Sequence, residues 1–307
     1  MRARGPASPL LSLVVLLVAG AAPALAQGFV IRDREDLAFD RPEAWAMAWF
    51  AAVTYPSALG PSPSPAPGAV ELSFEGGWVP TLSARQRTVG FLGTKPEDLN
   101  RTSVVGRPRL AIGLPGSVTA TLGWMPPAEV DGVKPDLLSL ALGRPLWQGE
   151  RATVGARLLA ERGTLTGDLT CPRAAVAAGH DAERNPYDCE SPSRDTMRIR
   201  LWGVELQAGT TLRRYPRLTP YVTVAASRLH AEFQVSAHYR GLLDRTFLHT
   251  DGTVWSASAG LSAAASDRVR VAGELFYAPL DVVRGRGARS ERDALLNGRL
   301  LLAYRLR

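Results

Sequence analysis

Long apolar runs are scarce in this chain of 307 residues. Beyond residue 26 none is long enough to cross a bilayer as a helix, which takes about 20 residues. The longest uncharged stretches there, 44–70 and 110–128, are cut by prolines such as Pro56, Pro61, Pro115 and Pro126. A second helical span is therefore excluded. Cysteine is nearly absent as well, with only Cys171 and Cys189, no Cys-x-x-Cys spacing and only His180 nearby. That sets aside zinc clusters, and neither a metal nor another cofactor is expected. Basic runs are also missing: the net charge is +7, but the arginines are scattered along strand-like segments. An exported chain with that distribution is not expected to bind nucleic acid.

One apolar run is present, at the beginning. Arg2 and Arg4 precede Leu10–Ala22, and the run ends in Ala24-Leu25-Ala26 before Gln27. This is the pattern of a signal peptide over 1–26, too short for a comfortable span and closed by small residues. Processing at Gln27 removes two arginines and leaves +5. Segment 27–56 differs from all that follows. Asp40 and Glu43 stand at capping-box spacing around Arg41-Pro42, and Ala44–Ala52 continues without a turn residue. The expectation is one helix of three to four turns, ended near Tyr55-Pro56, with Trp45 and Trp49 on one face. Residues 57–67 carry Pro61, Pro63, Pro65 and Pro67 at alternate positions, which predicts an extended, semi-rigid tether.

From Gly68 the hydrophobic period becomes two. Val70, Leu72, Phe74 and Trp78 alternate with Glu71, Ser73 and Glu75, and Val118, Ala120, Leu122 and Trp124 alternate with serine and threonine. The pattern recurs at 255–262, 269–277 and 296–306. Soluble sandwiches alternate in the same way, so the connections must decide. Strands at 68–79, 102–114, 117–125, 136–146, 150–163, 196–211, 218–235, 252–265, 269–278 and 294–307 leave joints that alternate long and short. An even strand count with short periplasmic turns and long outer loops is the rule for outer-membrane barrels. Trp78, Trp124, Trp255 and Tyr277 then fall at the outer ends of their strands, with Tyr304 near the inner end, as interfacial belts require. The expected fold is all-β, an antiparallel transmembrane barrel of about ten strands over 68–307 with a short N-terminal helix, located in the bacterial outer membrane.

The region 68–307 resembles the bacterial outer-membrane β-barrel superfamily, including its chain-terminal strand Gly298–Leu306. In that superfamily an alternating last strand is the recognition signal for the insertion machinery, so the resemblance implies that machinery and outer-membrane lipid as partners. The usual final residue is aromatic, and here it is Arg307.

Two constellations are candidates for chemistry. Cys171 and Cys189 share the longest proposed outer loop, which predicts a structural disulfide. If every apolar face meets lipid, the lumen receives Arg107, Arg109, Arg151, Arg157, Arg198, Arg200, Arg270, Arg299 and Arg305 against Glu71, Glu75, Glu161, Glu205 and Glu274. The excess of arginine suggests a small or gated channel favouring small anionic solutes. The alternative is an Arg–Glu network filling a closed barrel that acts as a surface scaffold or adhesin. His230, His238, His249, Ser236, Asp244 and Asp251 gather around one outer loop, but no spacing identifies a nucleophile, so the chain is not expected to be a hydrolase or other enzyme. The helix poses a last choice. A plug would resemble the hatch of long-chain fatty-acid channels, but a mostly apolar helix fits poorly against an arginine-lined lumen. The inner rim is therefore its expected place.

Overall fold

The structure, a computed structural model, describes residues 29–62, 65–285 and 287–306. The predicted signal segment, Gln27, Pro63 of the tether and Arg307 lie outside those residues.

Ten strands form close to their expected bounds: β1 Val70–Trp78, β2 Val104–Leu114, β3 Val118–Met125, β4 Lys134–Gln148, β5 Ala152–Gly167, β6 Asp195–Thr210, β7 Leu218–Gln234, β8 Phe247–Ala264, β9 Val269–Ala278 and β10 Leu295–Arg305. Each pairs antiparallel with its neighbours in sequence. The ring is closed by β10 against β1, from Arg299 opposite Gly77 to Arg305 opposite Glu71. Closure leaves no sheet edge within the ring, which is what a strand needs in order to cross lipid. The turns at one end are tight. Between β2 and β3, Gly116 and Ser117 both take positive φ, +76° and +59°, so a glycine is well placed there.

The exterior is apolar around its middle: Leu122, Val222, Val224, Leu275, Leu300 and Leu302 all face outward and are exposed. Trp78, Trp124 and Trp255 stand exposed toward the long-loop end, together with Trp202, which alternation analysis missed. Trp147 and Tyr304 stand exposed toward the short-turn end. A belt of this extent is far larger than the apolar patches of soluble monomers, and lipid is the solvent that suits it.

Helix α1, Pro42–Val53, corrects two expectations. Its N-cap is Arg41, with no side-chain cap, so the Asp40–Glu43 capping box does not form; Pro42 at the first helical position is as anticipated. The helix also lies inside the barrel and not at the inner rim. Trp45 and Trp49 are almost fully buried and share one core with Leu137, Ile199, Leu201, Leu229, Phe276 and Leu295 of the wall. The physical reason is a change in what the inward face carries. On β6, Val204 and Leu206 point outward to lipid, whereas Met197, Ile199 and Leu201, farther toward the long-loop end, are buried inward. The upper lumen is therefore apolar, and a helix apolar on all sides fits it.

The tether is likewise not free. Ser57, Leu59 and Ser62 are buried as the chain descends through the lower lumen, and Gly68 N donates to Gly113 O near the short-turn end. In the other direction the chain leaves the helix at the long-loop end. There Arg34–Leu37 pairs parallel with Phe247–Thr250 of β8, a stretch that extends beyond the end of β9. The N-terminal strand covers an edge that would otherwise be open.

Candidate functional site: the plugged lumen

The lower lumen is where the wall meets the descending chain. A helix ends with carbonyls that have no partner within the helix and carries a partial negative charge there. Here α1 has no basic residue in its last turn, and the wall supplies the donors instead. Arg299 donates from Nη2 to Ala52 O at 2.8 Å and from Nη1 to Tyr55 O at 2.6 Å. Arg107 donates to Thr54 O. Arg157 donates to Pro56 O at 2.7 Å, Arg109 to Ser57 O at 3.1 Å and Arg270 to Leu59 O at 3.0 Å. Thus five guanidiniums from four wall strands grip one threaded segment.

Four of these five charges pair with a carboxylate, as burial favours. Arg107 meets Glu161 at 2.9 Å, Arg109 meets Glu75 at 3.3 Å, Arg157 meets Glu205 at 3.6 Å and Arg270 meets Glu71 at 2.7 Å. Glu274 accepts hydrogen bonds from Ser57 Oγ at 2.5 Å, Ser258 Oγ at 3.0 Å and Tyr221 OH at 3.1 Å. The Arg299 guanidinium also stacks 3.7 Å from the centre of the Phe276 ring, a cation–π contact.

Four of the arginines expected in the lumen stand outside its buried network. Arg198 and Arg200 lie on the outward face of β6, because their neighbours Met197, Ile199 and Leu201 turn inward to pack on the plug. The rule that apolar faces meet lipid fails where the strand rises above the membrane. Arg151 is exposed at the short-turn end, and Arg305, exposed at the same end, lines the mouth of the lower lumen outside the buried network. The expected nine arginines facing five glutamates thus become five facing five. Thr54, Tyr55, Ser57 and Tyr221 complete the network without having been singled out in the sequence. The main acceptors are backbone carbonyls, which no side-chain pattern records.

Above the plug the long loops build a cap. Cys171 and Cys189 form the disulfide, with Cα atoms 5.7 Å apart. Cys189–Ser191, Ala237–Tyr239, Leu242–Asp244 and Phe29–Ile31 make a four-stranded sheet around it. Burial pushes the Glu97 carboxyl up to about 8, against the pull of Lys95, whose Nζ donates to it at 2.7 Å. Between cap and plug lies a cavity of about 480 Å³, lined by Met47, Phe50, Leu92, Met197, Phe233 and Leu248 among others. The loop residues considered for catalysis divide between two places. Asp244 accepts from Tyr239 OH at 3.1 Å within the cap, while His230, His249 and Asp251 lie on the outward face of the wall.

No family model and no curated protein matches the chain. Among solved structures it is similar to the outer membrane protease OmpT of Escherichia coli, at 8% identity and a TM-score of 0.40, covering 78% of this chain and 94% of that one. It is similar to the translocator domain of the autotransporter NalP of Neisseria meningitidis, at 14% and 0.41, covering 80% and 91%. The Pseudomonas putida toluene transporter TodX gives 15% and 0.33, covering 84% and 71%. The closed meander, the lipid-facing belt and its flanking aromatic side chains stand independently of those likenesses, and together they make the fold that of an outer-membrane β-barrel.

Proposed function

We propose that the protein is a barrel closed at rest by its own N-terminal segment, serving as a membrane anchor that presents the disulfide-bonded cap at the cell surface. The observation that carries this reading is the set of arginine-to-carbonyl bonds from Ala52 to Leu59. A lumen filled in this way offers no path of solute width, and withdrawal of the segment would strand buried charges. A gated channel is the second reading. It is favoured by a polar cavity of about 170 Å³ below the plug, lined by Arg109, Arg157, Gln207 and Arg270, which could be one end of a path that opens when the segment moves. A catalytic role forms no part of either reading.

In this reading the long loops and Phe29 lie outside and the turn at Ser266-Asp267 faces the periplasm. Single cysteines at Ala177 and Asp267 test the orientation with a membrane-impermeant thiol reagent on intact cells. Labelling at 177 with protection at 267 is expected; the reverse pattern would overturn the surface role.

A further inference from the structure

On the outward face of β7 and β8, above the membrane belt, two imidazoles and a carboxylate converge. The register explains why. His230 stands opposite Asp251 and Glu232 opposite His249. His249 and Asp251 are two residues apart on one strand, so they share a face. Asp251 is four residues beyond Trp255, about 13 Å along the strand at the usual rise per residue. The site is therefore in water and not in lipid.

His230 Nδ1 and His249 Nε2 point at each other, 3.2 Å apart. Asp251 Oδ1 is 2.7 Å from the first and Oδ2 is 3.2 Å from the second. One donor atom from each of the three residues can be chosen so that all lie within 4.8 Å of one another, and among the described residues this is the one His/Cys/Asp/Glu group that meets the condition. With metal–ligand bonds of about 2.0–2.1 Å, the edge of a tetrahedron is about 3.3 Å, close to the separation of the two imidazole nitrogens and to that of Oδ2 from His249 Nε2. All three residues are partly exposed, which leaves room for a solvent ligand at the fourth corner.

The outer contacts fit as well. The remaining nitrogen of His249, Nδ1, lies 3.0 Å from Asp36 Oδ1 on the N-terminal strand. A metal-bound histidine commonly gives its other N–H to a carboxylate, which fixes the tautomer and the ring orientation. Here that carboxylate belongs to the segment that leads into the plug.

We propose that His230, His249 and Asp251 form a surface site for one divalent transition-metal ion of the zinc class, with Asp36 as the positioning residue for His249. Imidazole with carboxylate suits zinc, copper and nickel better than magnesium or calcium, which prefer all-oxygen sites. Metal binding thereby couples the wall to the N-terminal strand, since Asp36 can orient His249 only while Arg34–Leu37 stays paired to β8.

The test uses the untagged full chain refolded in detergent and Zn²⁺ alone, titrated by calorimetry, with Co²⁺ absorption as a second readout of coordination. One ion per barrel is expected, with the intense visible bands of four-coordinate cobalt. His230→Gln and His249→Gln should each abolish saturable binding, Asp36→Asn should weaken it about 10–100-fold, and His180→Gln and His238→Gln should leave it unchanged. Gel mobility of the folded band verifies that each variant has formed its barrel. Absence of saturable binding by the folded wild-type chain would overturn the proposal and leave a hydrogen-bonded surface cluster. Binding that survives the His230→Gln, His249→Gln double variant would overturn it too, because the ion would then sit elsewhere.

Discussion

Arg299 shows most clearly how single side chains hold the threaded segment in the lumen. It is 2% exposed, binds two plug carbonyls and stacks on Phe276. Replacing it with methionine removes one side of a buried network and leaves Glu274 and the carbonyls behind, which should cost about 3–5 kcal/mol in urea unfolding from lipid. Arg305→Met, at the exposed short-turn end, should change stability by less than about 0.5 kcal/mol. Equal effects would mean that the arginine-to-carbonyl bonds contribute nothing particular. At the lipid face the corresponding residue is Leu300, 66% exposed on the outward side of β10. Leu300→Arg should cost about 2–4 kcal/mol if it lies near the midplane, whereas Thr121→Arg, which borders the polar cavity below the plug, should be far milder. A Thr121→Arg cost matching that of Leu300→Arg in refolding assays would contradict the assigned faces.

Among the elements, strands were legible and the plug was not. Period-two alternation with long and short joints located all ten barrel strands, because lipid imposes its pattern on one face of each. Helix α1 was recognised as a helix, but its place was misjudged. An apolar surface on every side says only that a helix is buried, and the partner that buries it lies in the inward residues of β6, apolar at Met197, Ile199 and Leu201 and polar farther along, at Glu205. Arg198 and Arg200 alternate with those inward residues and therefore face outward, as Val204 and Leu206 do. The disulfide was legible from two cysteines in one loop, whereas the parallel pairing of Arg34–Leu37 with β8 depends on β9 ending short, which local sequence does not encode. The cap has an electrostatic signature of its own. Its buried Glu97 has a folded pKa of about 8, raised above the ordinary value of 4.5 by desolvation. Between those values the folded cap holds a proton that the unfolded chain has lost, so its stability should fall as pH rises across that window and level off above it. Hydrogen exchange of amides 88–95, corrected for intrinsic rate, should show protection declining from pH 5 to pH 8, and Glu97→Gln should flatten the trend. A wild-type profile that is flat or rises would contradict a protonated Glu97.

As a whole, the molecule is a barrel whose contents are its own chain. The apolar upper lumen takes the helix, and the charged lower lumen takes the descending segment. Outside, the wall meets lipid along its middle and water above the tryptophans. This arrangement makes the expected selectivity weaker than an arginine excess would give. With five arginines facing five glutamates, an emptied lumen should distinguish anions from cations only modestly, and Arg107→Glu with Arg109→Glu should tip it toward cations. Everything in that statement presupposes that the segment closes the barrel. Planar-bilayer conductance of the intact protein beside a form lacking residues 29–67 tests this most directly: the account predicts a silent intact barrel and steady ohmic conductance once the segment is gone. Steady conductance through the intact protein, or none from a correctly folded barrel without the segment, would contradict it.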